Sequence, residues 1–260
     1  MTIYHFKVLN NRFRSIFLTF ILSLCLPLFA SAVTKQMADS AYQKGDYQQA
    51  IIDYQYLLKP GPSAALYYNL GNAYYRSDSL TMAILAYERA LWLSPGDKDI
   101  RFNLQFARSK TIDKLTPESE VVFVTWYRGL VNLTNANVWA YISIVSIILA
   151  LLLVLVYLFV PHMLWRKVGF FGGMTFFVFF IFSTLFAWDQ HHAFVNRSGA
   201  IIMAPSVNVK KTPSANAEDA FILHEGTRVD VTDTNMKSWR GIRLPDGREG
   251  WIPPEQLEMI

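Results

Sequence analysis

Two long apolar runs dominate the hydropathy pattern, Val138 to Val160 and Val168 to Trp188, and neither contains an Asp, Glu, Lys or Arg. Each satisfies the roughly 20 residues that a helix needs to cross a bilayer core. Lipid offers the backbone no hydrogen-bond partner, so such runs satisfy themselves as helices. The pattern predicts transmembrane helix 1 over 138–160, a short loop over 161–167 and transmembrane helix 2 over 168–188. A buried hairpin in a soluble protein would carry polar residues at helical spacing on its outer faces, and neither run does. Before the spans, from about residue 33 to 110, apolar positions recur at helical spacing. After them, from Ala200, short alternating strands are expected at Ile201 to Met203, Val207 to Lys210, Ala220 to Leu223, Arg228 to Thr232, Ser238 to Leu244 and Glu249 to Ile252. The start of the chain is different again. Lys7, Arg12 and Arg14 precede an apolar stretch from Ile16 to Phe29 and then Ala30-Ser31-Ala32, a secretory signal over 1–32 cut after Ala32. A retained signal anchor is the alternative and leaves the topology unchanged.

Charge orients the hairpin. Arg166 and Lys167 occupy the 161–167 loop, whereas Asp189 leads the segment after Trp188, so the positive-inside bias puts the loop in the cytoplasm. Both flanking blocks then share the opposite compartment. Trp139, Tyr141, Trp165 and Trp188 suit aromatic belts at the two interfaces. Gly169 and Gly173 form a small-x-x-x-small pair that would let the first helix approach at Ala140, Ser143 or Ser146.

Within 33–114, Tyr67, Leu70, Gly71, Tyr74, Ala83, Tyr87, Ala90 and Pro95 fall at fixed offsets. This spacing resembles the tetratricopeptide repeat closely. Ala38, Ala41, Ala50, Tyr54 and Pro62 align with the same frame upstream, with Lys44-Gly45-Asp46-Tyr47 at the inter-helix turn. Asp99 to Lys110 is read as a capping helix, with Asp97 able to cap its start. Two repeats and a cap are near the minimum for such a stack, so marginal stability or support from a partner is expected. The resemblance implies that the first helix of each repeat lines a concave groove, which turns Asp39, Tyr42, Tyr68, Asn72, Tyr75 and Arg76 toward a peptide or partner helix. Packing between repeats is the competing role for Tyr68 and Tyr75. The segment 115–137 reads as an interfacial linker, in which Val122, Phe123, Trp126, Tyr127, Leu130 and Leu133 recur at helical spacing with Arg128 opposite.

Beyond the spans, 189–199 is a linker carrying Asp189-Gln190-His191-His192. Adjacent positions on a helix point about 100° apart, so the two histidines do not make a metal site by themselves. Over 200–260 the order Val-x-Val-Lys-x-x-Pro, Leu-His-Glu-Gly-Thr-x-Val-x-Val, Trp-x-x-Ile and Asp-Gly-Arg-x-Gly-Trp-Ile resembles the bacterial SH3-like barrel. Trp239, Ile242, Leu244, Trp251 and Ile252 are expected mostly in its core, with a ligand-stacking role at the rim as the alternative for Trp239. Each flanking block is expected to build its own core.

Composition removes several function classes. Cys25 is the only cysteine and precedes Ala32, so the mature chain has no disulfide, thiolate metal site or cysteine nucleophile. Removing three cations with the signal takes the formal charge from +4 to +1, and no nucleic-acid partner is indicated. No Gly-x-Ser-x-Gly, His-Glu-x-x-His or phosphate loop is present, so neither catalysis nor a cofactor is expected. A two-helix hairpin without an ionisable residue in mid-membrane argues against a transporter. The fold class expected is a multidomain membrane protein: α-helical tetratricopeptide repeats, a two-helix transmembrane hairpin and a C-terminal all-β SH3-like barrel. In that order, with the run Asp99-Ile100-Arg101-Phe102-Asn103-Leu104, then Ala107-Arg108 and Ile112-Asp113-Lys114, and the closing Gly-Trp-Ile, the chain resembles the BatE family of the bacterial aerotolerance (Bat) operon. That resemblance implies a cytoplasmic-membrane scaffold facing the periplasm, with other Bat-operon membrane proteins, von Willebrand A-type proteins included, as partners. Its SH3-like module adds peptidoglycan as a candidate ligand, and the lipid bilayer is its setting.

Overall fold

A computed structural model describes residues 33–116 and 122–260. The expected signal over 1–32 lies outside the described residues. Five helices come first: α1 (Lys35–Gln43), α2 (Tyr47–Leu58), α3 (Ala64–Arg76), α4 (Leu80–Leu93) and α5 (Lys98–Arg108). Their boundaries follow from local chemistry. Gly45 at φ +82° makes the tight α1–α2 turn. Asp46 accepts from the Gln49 amide at 3.1 Å to cap α2, and Asp97 accepts from the Asp99 and Ile100 amides at 2.9 and 3.2 Å to cap α5. Successive helices pack as antiparallel pairs on small residues: Ala38, Ala50, Ala73, Ala83 and Ala107 are fully buried. At Gly71 a Cβ would lie 2.6 Å from the Tyr87 ring, so only glycine lets α3 and α4 cross this closely.

Three helices follow: α6 (Val122–Val131), α7 (Ala136–Phe159) and α8 (Met163–Val195). Of these, α7 and α8 are long and apolar enough to cross a membrane, and they pack against each other as an antiparallel pair. Gly169 seats on the α7 backbone, where a Cβ would meet Leu153 O at 2.6 Å and Tyr157 N at 2.7 Å. Gly173 faces Ala150 and Val154. The expected close approach therefore occurs nearer the connecting loop than at Ala140, Ser143 or Ser146, because antiparallel order sets the start of α8 against the end of α7. Ser143 instead meets Thr184, with hydroxyl oxygens 2.7 Å apart. The second helix also runs on past Trp188 to Val195, since Asp189 to His192, though polar, are helix-compatible.

The remaining chain forms β1 (Gly199–Ile202), β2 (Ser206–Lys210), β3 (Asp219–His224), β4 (Arg228–Asp233), β5 (Arg240–Arg243), β6 (Glu249–Ile252) and β7 (Leu257–Met259). These make one seven-stranded sheet in the order β3-β2-β6-β5-β4-β1-β7, with every pairing antiparallel. Gly247, at φ +84°, turns the β5–β6 hairpin. Its core contains Ile202, Val209, Leu223, Val229, Ile242 and Ile252. Ile242, Leu244 and Ile252 are buried as expected, whereas Trp239 and Trp251 are half-exposed. The expected barrel is not closed: β3 and β7 are the sheet's two ends and do not pair. The reason lies in β7, which the alternation pattern misses because it is short and follows Pro253-Pro254. It pairs with β1 through Ala200 and Met259, taking the edge that closure would need.

The repeats and the sheet each have a core, and the two are joined at one seam. Ile201 and Ile260 are buried in the same cluster as Ala83, Ile84 and Tyr87, so the sheet packs on α4. Polar contacts line this seam. Glu88, with a side chain only 2% exposed, pairs with Arg108 of α5 and with Arg228 of β4, the latter at 3.5 Å. Arg89 donates to Glu258 at 2.9 Å and to Met259 O at 2.7 Å, and Thr81 donates to Glu225 at 2.8 Å. Asp113 accepts from the His224 amide and the Thr227 hydroxyl, both at 2.7 Å, and lies 2.9 Å from His224 Nδ1. The C-terminal sheet thus covers one flank of the repeat stack.

Candidate protein-binding groove

The first helix of each pair, α1, α3 and α5, places side chains along one face of the stack. Asp39, Tyr42, Gln43, Tyr54, Asn69 and Asn72 line a cavity of about 190 Å3 there. Asp39 is already well supplied with donors: Lys35 and Tyr54 at 2.6 Å and Asn69 at 3.3 Å. Burial alone would raise its pKa, but the hydrogen bonds from Lys35 and Tyr54 outweigh it and hold the carboxyl below the usual range. Tyr54 is pushed up, first by burial and then by that carboxylate.

Tyr68 and Asn72 serve the stack as much as its surface. Asn72 Oδ1 accepts from Tyr87 at 2.7 Å and from Asn103 at 3.0 Å, and Asn103 also donates to Tyr68 at 3.1 Å. This network ties α5 to α3 and α4. Tyr42 stacks edge-on against Tyr47 at 5.4 Å, and the Arg76 guanidinium lies 5.0 Å from the same Tyr47 ring. Tyr75 is 5.7 Å from Phe106. Residues 35–98 match the tetratricopeptide repeat. No curated protein matches the chain. The tetratricopeptide repeat is a non-catalytic interaction fold, and its presence here points to protein–protein binding.

Two exposed aromatic residues of α5 escape the sequence reading. Phe102 is 67% exposed and Phe106 is 44% exposed, although α5 was expected to spend its apolar residues covering the repeats. It does so with Ile100, Leu104 and Ala107, while the i,i+4 pair Phe102 and Phe106 points the other way. That second apolar stripe is the signal that could have found them. The groove thus offers aromatic rings from α1, α3 and α5, with the exposed cations Arg76 and Lys110 beside Tyr47 and Phe106, suited to an extended peptide or helix with apolar anchors.

Trp239 belongs elsewhere, half-buried before β5, with its carbonyl accepting from Arg240 at 3.1 Å. His192 faces Asn196, 2.9 Å away, and stacks near Trp188 at 5.4 Å, and among the described residues no group of three His, Cys, Asp or Glu side chains is placed to hold a metal ion.

Proposed function

We propose that this chain is a membrane-anchored scaffold, with α7 and α8 as a two-pass hairpin and with the repeats and the C-terminal sheet together on the periplasmic side. The observation that carries this reading is the seam. Glu88, Arg89 and Asp113 precede the spans in sequence, Arg228, Glu258 and His224 follow them, and these groups contact one another. Groups in direct contact share a compartment, so the seam favours an even number of crossings. The positive-inside bias of Arg166 and Lys167 supports a cytoplasmic connecting turn. The groove of Tyr42, Tyr75, Phe102 and Phe106 is the partner-binding surface. Partners in this reading are membrane proteins of a Bat-type envelope complex, von Willebrand A-type proteins included, and the open sheet is a divergent SH3-like module.

The test is topological and biochemical together. With Cys25 replaced by Ser, cysteines placed at Lys114 and Thr234 should both react with an impermeant maleimide from the periplasmic side. Reaction from opposite sides would end the proposal. A photo-crosslinker at Tyr75 should capture a membrane protein in intact cells, with capture lost in the Phe106→Ala chain. A crosslinker that captures nothing beyond lipid would remove the scaffold reading.

A further inference from the structure

We infer that α6 is a lipid-facing interfacial helix, whose Phe123–Trp126 side seats in the headgroup region on the same side as the repeats. This inference rests on the two-pass reading of α7 and α8.

The first support is that α6 is fixed. Val131 O, at its C-terminal end, accepts from Trp139 Nε1 at 2.9 Å and from Gln190 Nε2 at 2.6 Å, and Gln190 also donates to Thr134 O at 2.7 Å. Tyr127 packs edge-on against Phe186 at 5.8 Å, with its hydroxyl 3.4 Å from Asp189. The bend between α6 and α7 is therefore locked to the end of α8, and the carbonyls freed by the bend have donors, as a water-poor site requires.

The second is what this orientation leaves open. With 3.6 residues per turn, Phe123, Trp126 and Leu130 form one stripe flanked by the docked Tyr127, while Thr125 and Arg128 fall on the far side of that stripe. Phe123 and Trp126 are 68% and 62% exposed, and their rings lie 6.3 Å apart. No protein group covers them among the described residues, yet their neighbour Tyr127 touches Phe186, whose helix carries the exposed apolar rows Leu185, Phe182 and Phe179. The open face is continuous with the surface that meets lipid.

The third is level. Trp139 and Trp188 mark this end of the hairpin, where Tyr127, next to Trp126, reaches Phe186 and Asp189, while Trp165 marks the other, 23 positions before Trp188 on α8. At 1.5 Å per residue these markers stand about 35 Å apart, close to the thickness of a bilayer core of about 30 Å. Aromatic rings favour that boundary. A protein partner would also cover apolar rings, but it would not explain why they sit at the height set by Trp139 and Trp188.

The test uses the full chain with Cys25→Ser, reconstituted in phosphatidylethanolamine–phosphatidylglycerol vesicles. Nitroxide labels are placed singly at Phe123→Cys, Trp126→Cys, Thr125→Cys and Leu151→Cys. Relaxation by oxygen, which partitions into lipid, is compared with relaxation by a water-soluble nickel chelate. Labels at 123 and 126 should show an oxygen-to-nickel ratio between the deep value at 151 and the aqueous value at 125. If 123 and 126 match 125 while 151 reads deep, the lipid assignment of α6 is wrong and its face is free for a protein. If 151 itself reads aqueous, the two-pass reading falls and this inference falls with it.

Discussion

Glu88 is where the seam between repeats and sheet is most exposed to experiment. Its carboxylate is 2% exposed, while Arg108 and Arg228 are 37% and 35% exposed. Glu88→Gln keeps the shape and one acceptor but removes the charge between two cations. Breaking a fully buried pair costs about 3–5 kcal/mol, and an exposed pair is worth about 0–1 kcal/mol. Here the arginines can turn toward water once released, so the cost falls between these limits, at about 2 kcal/mol. For a domain of this size that corresponds to a fall in Tm of about 4–8 °C. The assay is thermal unfolding of the full chain in detergent, followed by near-ultraviolet circular dichroism, with Arg228→Gln and the double variant completing a cycle. Because Arg228 loses its main partner when Glu88 is changed, the double variant should cost clearly less than the sum of the single ones. Strict additivity, or a Glu88→Gln chain that melts with the parent, would refute the claim that this carboxylate joins α4 to β4.

Two further outcomes follow from the same structure. Burial would raise Asp113, but hydrogen bonds from Thr227 and from the His224 amide and ring outweigh it and leave the carboxyl below its usual range. Its folded pKa is thus below the unfolded value of about 3.9, so its stabilisation is complete above that pH and disappears as pH falls through the folded value. Asp113→Asn should lower Tm at pH 7 and flatten its decline between about pH 5 and 3, and an unchanged acid slope would contradict this assignment. In the hairpin, Gly169→Ala drives a Cβ into backbone atoms at 2.6 and 2.7 Å, whereas at Gly172 the nearest atom is the flexible Leu153 Cδ1 at 3.0 Å. The first substitution should cost about 1–3 kcal/mol and the second clearly less, measured by melting in the same detergent; equal costs would disprove close packing at Gly169.

Local periodicity made the repeats, the two apolar helices and six of the strands legible, because each depends on neighbours a few residues away. Gly71 and Tyr87 illustrate this: their spacing marks a helix crossing, and the ring sits against the glycine. The seam was not legible. Glu88, Asp113 and Arg228 look like ordinary surface charges, and their partners lie across the whole hairpin in sequence. Hydropathy also marks where lipid-compatible sequence ends, not where hydrogen bonding ends, so α8 continues beyond Trp188. In the groove, the repeat frame pointed to Tyr42 and Tyr75 as candidates. It could not reveal that Asn72 is held by Tyr87 and Asn103, or that Phe106 lies beside Tyr75.

The dependence of α4 on the sheet has a consequence for biogenesis. Synthesis delivers Ile84 and Glu88 long before Arg228 or Ile260, with both apolar helices made in between. Bridging so long an intervening loop adds little entropic cost, since the penalty grows only logarithmically with length, but it imposes an order of events. The repeats must wait, one flank bare, until the last strands have left the ribosome. A nascent chain stalled after α8 would therefore present an apolar, acidic flank on α4 that the finished protein never displays, and that interval is when a chaperone would be needed most.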